Sequence, residues 1–244
     1  MRSKISLLTL IATGALAAGV GAQAPKPFTL KTEQGPLTIR PLLHASVLFQ
    51  FAGKTIYVDP WSRVKGLAKL PKADLILVTH EHGDHADAAA IRTVKKARAI
   101  IIANPNSVRK LGMGQPMKNG EKRIVLGIGV RAVPAYNLKR GPKPGQFFHP
   151  RGRDNGYVLT FGDRRVYLAG DTEGIPEMKA LKDIDVAFLP INLPYTMPPK
   201  EAAAAAKLFH PKLLVPYHQG SSDPREVAAA LKGSGIQVKV LALP

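Results

Sequence analysis

The sequence contains no cysteine, so it can form no disulfide and can offer no thiolate to a metal ion. Any metal site in this chain must therefore consist of nitrogen and oxygen ligands. Such a site suits zinc and leaves manganese or iron open as alternatives. Histidine is also scarce, with seven residues in 244, so a local concentration of histidines is informative.

Acidic and aromatic residues are few. Asp and Glu number 17 against 35 Lys and Arg, which gives a formal charge of +18, and aromatic residues make up 6% of the chain. A positive field of this kind favours anionic partners such as phosphate-bearing substrates, nucleic acid or envelope polymers, although a solvated basic surface explains it equally well. The aromatic residues are not interleaved with the basic ones as a base-stacking surface requires. We expect a small-molecule substrate, which can be anionic, and we do not expect nucleic acid.

Long apolar runs are missing beyond the first twenty residues. Arg2 and Lys4 precede an apolar segment over residues 5–20, and Gly21-Ala22 supplies small residues. This pattern predicts a secretory signal over residues 1–22 and a periplasmic or secreted mature chain from residue 23. The alternative, a membrane anchor, needs a longer segment, and the mature chain is predicted to have no transmembrane segment. Residues 23–244 are long enough to bury one core, so we expect a single domain.

The most informative stretch is His80-Glu81-His82-Gly83-Asp84-His85, which directly follows the apolar run at residues 75–78. Three of the seven histidines lie in these six residues, so a polar turn without chemistry is a poor explanation. Imidazole nitrogen and carboxylate oxygen are ligands that suit zinc. A turn at a strand end can direct His80 and His82 to one ion, and Asp84 and His85 to another.

Three further predicted strands end in polar residues: Asp59 after residues 55–58, Asp171 after residues 165–169, and His218 after residues 213–216. Strands ending in Asp, His-x-His-x-Asp-His, Asp and His, in this order, resemble the metallo-β-lactamase superfamily. The resemblance extends from about Leu37 to His218. It implies an α/β fold, an αββα four-layer sandwich of two sheets between helices.

The resemblance also implies a site. Two divalent ions, with zinc preferred, would be bound by His80, His82, Asp84, His85, Asp171 and His218. Asp171 would bridge the ions, Asp84 would be a proton acceptor, and Asp59 would hold a ligand histidine from behind. A hydroxide formed between the ions would be the nucleophile. The absence of cysteine argues against the antibiotic-degrading β-lactamases that use a zinc-bound cysteine.

One ligand position departs from the family pattern. The family has a third histidine after the strand over residues 130–135, and Tyr136-Asn137 stands there in this chain. Asn is a poor zinc ligand compared with imidazole. We expect His149 to complete the first metal, with Asn137 either supporting a ligand or binding substrate; otherwise an extra water fills the site. His149 lies on a Gly-, Pro- and Lys/Arg-rich stretch over residues 138–153, which is predicted to be an irregular flap at the cleft or, alternatively, a surface loop.

Two more residues are candidates for the cleft. His44, in Leu43-His44-Ala45-Ser46, resembles an element of the branch that contains ascorbate-phosphate lactonases and lipid phosphodiesterases, although that element has Gly where this chain has Leu43. A structural role is the alternative for His44. Tyr195 is a candidate for lining the pocket, as are Trp61 and Met197, although packing explains each of them as well.

These residues favour a metal-dependent hydrolase acting on an ester, lactone or phosphodiester. One alternative is a nuclease of the same fold. Another is a non-catalytic metal-binding protein that has lost its first metal through Asn137. An oxidoreductase of the flavodiiron type is a further alternative, but such chains normally carry a flavin domain, for which this sequence has no room.

Overall fold

Seven strands from the amino-terminal half form the first sheet of the computed structural model, which describes residues 25–241 and residue 243. They are β1 (Phe28–Thr32), β2 (Gly35–Leu43), β3 (Ser46–Phe51), β4 (Lys54–Val58), β5 (Ala73–Val78), β6 (Lys95–Ala103) and β7 (Gln115–Pro116). β1 to β4 pair antiparallel, whereas β4 to β7 pair parallel. The strands lie side by side in chain order.

The second sheet repeats this arrangement with the carboxyl-terminal half. Its strands are β8 (Lys122–Val125), β9 (Ile128–Ala135), β10 (Asp154–Phe161), β11 (Arg164–Leu168), β12 (Val186–Pro190), β13 (Leu213–Tyr217) and β14 (Gln237–Val238). β8 to β11 are antiparallel and β11 to β14 are parallel. The sheet is again ordered as the chain runs, from β8 at one edge to β14 at the other.

The two sheets face each other across one apolar core, in which the rings of Phe49 and Phe161 lie 5.4 Å apart. Burying a side chain of this size contributes about 1.5–3 kcal/mol to folding. Helices cover both outer faces: α1 (Ala88–Val94) and α2 (Pro105–Leu111) on the first sheet, α3 (Pro199–Ala206) and α4 (Pro224–Ala230) on the second. The αββα sandwich expected from the sequence is therefore confirmed.

The sequence over residues 86–96, which follows the hexapeptide, predicts a helix, and this helix is shorter in the structure. The Asp87 carboxylate accepts hydrogen bonds from the backbone N–H groups of Ala89 and Ala90, so the helix begins at Ala88. It ends at Val94 because Lys95 is extended and pairs with Ala73 of β5. Sheet pairing thus begins β6 at Lys95, four residues earlier than the apolar pattern at residues 99–103 indicates.

None of the helices in the described part of the chain is long and apolar enough to cross a membrane. The secretory signal predicted for residues 1–22 lies outside the described residues, and so does its boundary with the mature chain.

The carboxyl ends of the parallel strands from both sheets meet at one edge of the sandwich. The hydroxyl of Tyr157 donates to the carbonyl of Val78 at 2.9 Å, and the backbone N–H of Asn155 donates to the carbonyl of Thr79 at 3.0 Å. Gly170 lies where the two sheets meet, with φ +66°. A Cβ at this position would approach the carbonyl oxygen of Asn155 to 2.8 Å. Only glycine fits this position, directly before Asp171.

Candidate metal centre

The edge where the strand ends meet contains all seven predicted ligand residues and His44. Three of the residues that end these strands have left-handed backbone conformations: His44 (φ 57°), Asp59 (φ 46°) and His218 (φ 46°). This conformation is uncommon for residues other than glycine, and such residues concentrate at functional sites. The backbone therefore turns sharply at the points where these side chains enter the site.

His80, His82 and His149 form a first group of converging imidazoles. Nδ1 of His82 lies 3.1 Å from Nε2 of His80 and 3.3 Å from Nε2 of His149. Two nitrogen ligands at about 2.0–2.1 Å from one tetrahedral zinc ion are themselves about 3.3 Å apart. These two separations therefore match those of ligands around a shared ion, and all three ligand atoms lie within 4.8 Å of one another.

Hydrogen bonds on the far side of two of these rings determine which nitrogen faces the group. The hydroxyl of Thr79 donates to Asp59 at 2.7 Å, so it can accept from Nδ1 of His80, which lies 3.0 Å away. The amide oxygen of Asn137 likewise accepts from Nδ1 of His149 at 2.9 Å. With Nδ1 protonated, each ring presents the lone pair of Nε2 to the centre, as a metal ligand must.

Asn137 does not point into the group but lies behind His149. Its amide oxygen also accepts the backbone N–H of His149 at 2.8 Å, while its amide nitrogen donates to Glu173 at 3.2 Å and to the carbonyl of Tyr195 at 2.8 Å. Two acceptors on the nitrogen side determine the orientation of the amide. Of the roles left open for Asn137, the contacts support positioning of His149 over contact with substrate, since Asn137 is 2% exposed.

His44, Asp84, His85 and His218 form a second group. Nε2 of His85 and Nε2 of His218 lie 3.2 Å apart, and both face Asp84, at 3.7 and 3.8 Å. His44 is closer to Asp84 than either of them, with Nε2 2.9 Å from its carboxylate. The ring of His44 also lies against that of His218, at 3.6 Å between centroids. His44 thus lies against Asp84 and His218, and its part in the site stays a prediction.

Asp171 lies between the two groups. One carboxylate oxygen is 3.5 Å from Nε2 of His149 and 3.3 Å from Nε2 of His218, and the other oxygen is 3.5 Å from Nε2 of His85. The carboxylate is 3% exposed and its Oδ1 has no hydrogen-bond partner among the described residues. A buried carboxylate with a free oxygen, facing histidines of both groups, fits a bridge between two cations.

Asp59 supports the second group from behind. Its carboxylate accepts from Nδ1 of His85 at 2.8 Å and from the backbone N–H of Thr79 at 2.8 Å. This leaves Nε2 of His85 directed at Asp84 and Asp171. The role that the resemblance implied for Asp59, holding a ligand histidine from behind, stays a prediction, and Asp59 is in contact with the ring that this role requires.

Burial keeps the first group neutral. It lowers the pKa of His82, lowers that of His80 well below its ordinary value, and lowers that of His149 to about 4 against the opposing charge of Asp171. Metal ions bind the neutral imidazole. These rings therefore need no deprotonation at neutral pH.

The pKa of His85 moves in the opposite direction. Burial lowers it, but the carboxylates of Asp171, Asp59 and Asp84 outweigh burial and raise it to about 9. The field that stabilises a proton on this ring would equally stabilise a divalent cation beside it. Burial raises the pKa of Asp171, yet His218 and His85 outweigh it and hold that pKa well below its usual range, so the carboxylate is charged.

The irregular stretch over residues 138–153 is fixed to the body of the protein by ion pairs. Arg140 pairs with buried Glu173 at 3.1 Å and with Glu201 at 2.8 Å, and Lys139 also pairs with Glu201. Arg151 pairs with Glu177, and Arg153 pairs with Glu81 and Asp154. The stretch is irregular and adjoins the site through His149, as predicted. Its basic residues Lys139, Arg140, Arg151 and Arg153 are paired with carboxylates.

Some roles could not be anticipated, and some candidates lie elsewhere. Met197 is fully buried in the core of the second sheet, whereas Trp61 packs on His44 at 4.9 Å. Tyr195 contributes a backbone carbonyl to Asn137, and its ring is 43% exposed. Thr79 and Glu173 were missed. Their only sequence signal is proximity, since Thr79 precedes His80 and Glu173 follows Asp171 by two residues.

The comparisons with known proteins agree with this geometry. The protein-family model for the β-lactamase superfamily domain matches residues 38–218 of the sequence. A UPF0173 metal-dependent hydrolase from Methanopyrus kandleri is 31% identical over 220 residues, covering 82% of this chain and 94% of its own length, and one from Geobacillus sp. is 32% identical over 204 residues, covering 77% and 90%.

Solved structures show the same relationship. A crystal structure from Parabacteroides distasonis, of a protein assigned as a metal-dependent hydrolase, is 50% identical with a TM-score of 0.85 and covers 90% of this chain and 99% of its own. The metallo hydrolase Igni18 from Ignicoccus hospitalis, 24% identical with a TM-score of 0.70 over 85% of this chain and 95% of its own, shares the fold. The chain belongs to the β-lactamase superfamily and is a metal-dependent hydrolase of the metallo-β-lactamase fold.

Proposed function

We propose that this hydrolase holds two divalent metal ions, zinc in preference to manganese or iron, and cleaves an ester, lactone or phosphodiester in a small-molecule substrate. His80, His82 and His149 would hold the first ion, and Asp84, His85 and His218 the second, with Asp171 shared between them. The observation that carries the proposal is the position of Asp171 within 3.5 Å of ring nitrogens from both groups.

Two such ions would supply a Lewis acid for the substrate's carbonyl or phosphoryl oxygen and would lower the pKa of a bound water from about 15.7 to roughly 7. The other roles belong to residues of the chain. Asp171 would balance part of the charge of the ions, and Asp59 and Asn137 hold the rings of His85 and His149 in place through their Nδ1 atoms. Asp84, which is 34% exposed in its side chain, can accept a proton and share it with Nε2 of His44, 2.9 Å away.

A nuclease of the same fold is the second candidate, and the structure offers it less support. Four of the basic residues in the stretch 138–153 are paired with carboxylates, so they are not free to bind a phosphate backbone. A nuclease would also show activity on nucleic acid that falls steeply with added salt. A non-catalytic metal-binding protein would hold the ions and turn over no substrate.

The test combines metal content with turnover. We expect elemental analysis of the protein reconstituted with zinc, manganese or iron to find close to two ions per chain, and the loaded protein to cleave members of an ester, lactone or phosphodiester panel. Zero metal after reconstitution would refute the mechanism. Two ions without turnover of any panel member would leave the non-catalytic candidate.

Asp171→Ala is expected to abolish turnover and to reduce the content of both ions, because it removes the negative charge between two cations. Asp59→Ala should be milder, with a loss of about 10- to 100-fold in affinity or activity, as for other groups that support a ligand. His210→Ala, at an exposed histidine, is the matched control. Full metal content and full turnover in Asp171→Ala would show that Asp171 is not the bridge.

A further inference from the structure

Four exposed apolar residues lie on two chain segments that adjoin the metal centre. Of the seven large apolar side chains that are exposed in the described part of the chain, four lie on two segments at this edge: Leu138 (48%), Phe147 (39%), Leu193 (47%) and Tyr195 (43%). We call these four the apolar rim. Singly scattered apolar side chains are ordinary on a protein surface, whereas a cluster marks a contact site.

The topology places both segments at the centre. The segment containing Leu193 and Tyr195 follows β12, which lies between β11 and β13, the strands that lead to Asp171 and His218. The segment containing Leu138 and Phe147 connects Asn137 to His149. The two segments meet where Asn137 donates to the carbonyl of Tyr195 at 2.8 Å, with Asn137 also bonded to His149.

The part of the apolar rim at Tyr195 is held in place by contacts within the chain. The ring of Phe148 packs edge-on against that of Tyr195, at 5.0 Å between centroids. The turn before Tyr195 is closed by hydrogen bonds from the backbone N–H groups of Tyr195 and Thr196 to the carbonyl of Asn192, at 3.1 and 2.8 Å. A preformed apolar surface binds with a smaller loss of conformational entropy than a mobile one.

Charge does not dominate this side of the site. Lys139 and Arg140, the cations next to Leu138, both pair with Glu201, and Arg140 also pairs with Glu173. The charge beside Leu138 is therefore neutralised, which favours an uncharged hydrocarbon group over a carboxylate or phosphate at this position.

We propose that the apolar rim binds an alkyl or aryl group of the substrate, attached next to the bond that is cleaved. This inference rests on the proposed function, because it assumes that the reacting group lies at the metal centre. The substrate then has two parts: a polar ester, lactone or phosphodiester at the ions and a hydrocarbon portion of several carbons across Leu138, Leu193 and Tyr195.

Binding of alkylphosphonates tests this without requiring turnover. The phosphonate supplies the polar group, and calorimetry compares methylphosphonate with hexylphosphonate on the metal-loaded protein. Each methylene that is buried against the rim can improve affinity by up to about fourfold, so we expect hexylphosphonate to bind about 10- to 200-fold more tightly. In Leu138→Ser/Leu193→Ser this preference should fall by about tenfold or more. Ile124→Ser, at a residue 85% exposed on the edge strand β8, should retain it.

Equal affinity for the two phosphonates, or no binding of either, would overturn the inference. A preference for hexylphosphonate that survives in the double variant would also overturn it, because another surface of the protein would then bind the hexyl group. A protein that binds phosphatidylglycerol vesicles through the rim without discriminating between the phosphonates would make the rim a membrane contact and also refute the proposal. Failure of the proposed function would be visible separately, as missing metal or missing turnover of the panel.

Discussion

At the scale of single residues, the contacts of Asn137 explain how an asparagine can stand at a position where the family pattern has a histidine. His149 brings its imidazole to the centre from the following loop, and Asn137 holds its Nδ1 and its backbone N–H. The same asparagine is itself held by Glu173 and Tyr195. One ligand position is thus served by two residues, one that faces the centre and one behind it.

His149→Ala is expected to lower the occupancy of one ion and to leave the second, near Asp84, His85 and His218, largely in place. Asn137→Ala should weaken the same ion by about 10- to 100-fold, because the ring of His149 loses its orienting partner. Metal titration with elemental analysis measures both. Unchanged occupancy in His149→Ala would mean that the first site is formed by two histidines, Asp171 and water.

Asp154 gives a pH-dependent contribution to stability. Burial raises its pKa to about 7, aided by Glu81 and Asp171 and opposed by Arg153, whose guanidinium lies 3.0 Å from the carboxylate. In the unfolded chain an Asp titrates near pH 3.9. Between about pH 4 and 7 the folded state therefore holds more protons, so this group's contribution to stability falls as pH rises through that window and is constant above it.

Asp154→Asn removes this titration while retaining a polar side chain. We expect the free energy of unfolding of the wild type, minus that of the variant, to fall between pH 4 and 7 by at most about 1.4 kcal/mol per pH unit. Urea unfolding at several pH values measures this difference in free energy. Contributions from titratable groups that both proteins share cancel in it. A constant difference would show that Asp154 has an ordinary pKa.

At the scale of elements, the strands provide one rigid half of the centre and the irregular stretch over residues 138–153 provides the other. The strand ends deliver Asp171 and His218, and the hexapeptide lies one residue beyond the end of β5. The irregular stretch has no helix or strand, and ion pairs with Glu173, Glu177 and Glu201 fix it. The pair between Arg140 and Glu173 is the most buried of these.

Glu173→Gln should loosen this stretch. Glu173 accepts from the backbone N–H of Arg140 at 2.8 Å and from the amide of Asn137, so its charge stabilises several donors at once. We expect a loss of about 1–3 kcal/mol in the free energy of unfolding, with faster tryptic cleavage near Lys143 and weaker binding of one ion. Glu201→Gln is the control, since the Glu201 side chain is 34% exposed against 2% for Glu173, and pairs nearer the surface contribute about 0–1 kcal/mol. Equal effects of both variants would contradict this account.

At the scale of the whole molecule, the chain is strongly basic, with a charge of +18 that falls to +16 without Arg2 and Lys4. The Lys and Arg side chains near the centre are paired with carboxylates, so the net charge does not by itself indicate an anionic substrate. We propose that it belongs to a protein that is exported through the signal over residues 1–22 and works in the periplasm or outside the cell.

The mature protein isolated from its native cells is expected to begin at Gln23, because Gly21 and Ala22 are the small residues that precede a signal cleavage site. Amino-terminal sequencing of the periplasmic fraction measures this, with a cytoplasmic enzyme as the fractionation control. An intact Met1 on a cytoplasmic protein would refute export and would strengthen the nuclease candidate.

Much of the fold and of the site was predictable from local sequence, because strands and their ends are set by periodicity and by turn residues. The sequence predicts a hairpin of strands over residues 46–51 and 54–58 across Ala52-Gly53, and β3 and β4 have these bounds. The hexapeptide and the polar residues Asp59, Asp171 and His218 each follow a strand that the apolar pattern indicates. Since neighbouring parallel strands end at a common edge of their sheet, Asp59 and the hexapeptide were expected to lie together in the first sheet, and Asp171 and His218 in the second. The packing of the two sheets brings these two pairs to one site.

The tertiary structure alone decided the features that depend on residues far apart in the chain. His149 lies 67 residues from His82, and the two nitrogens come to 3.3 Å through the packing of the loop and the hydrogen bonds between Asn137 and His149. The support of Asn137 by Glu173, the approach of His44 to Asp84 and the exposure of Leu193 depend likewise on packing between segments. Local periodicity carries no information on such packing, so sequence determined which residues could bind metal, and packing determined how each one is held.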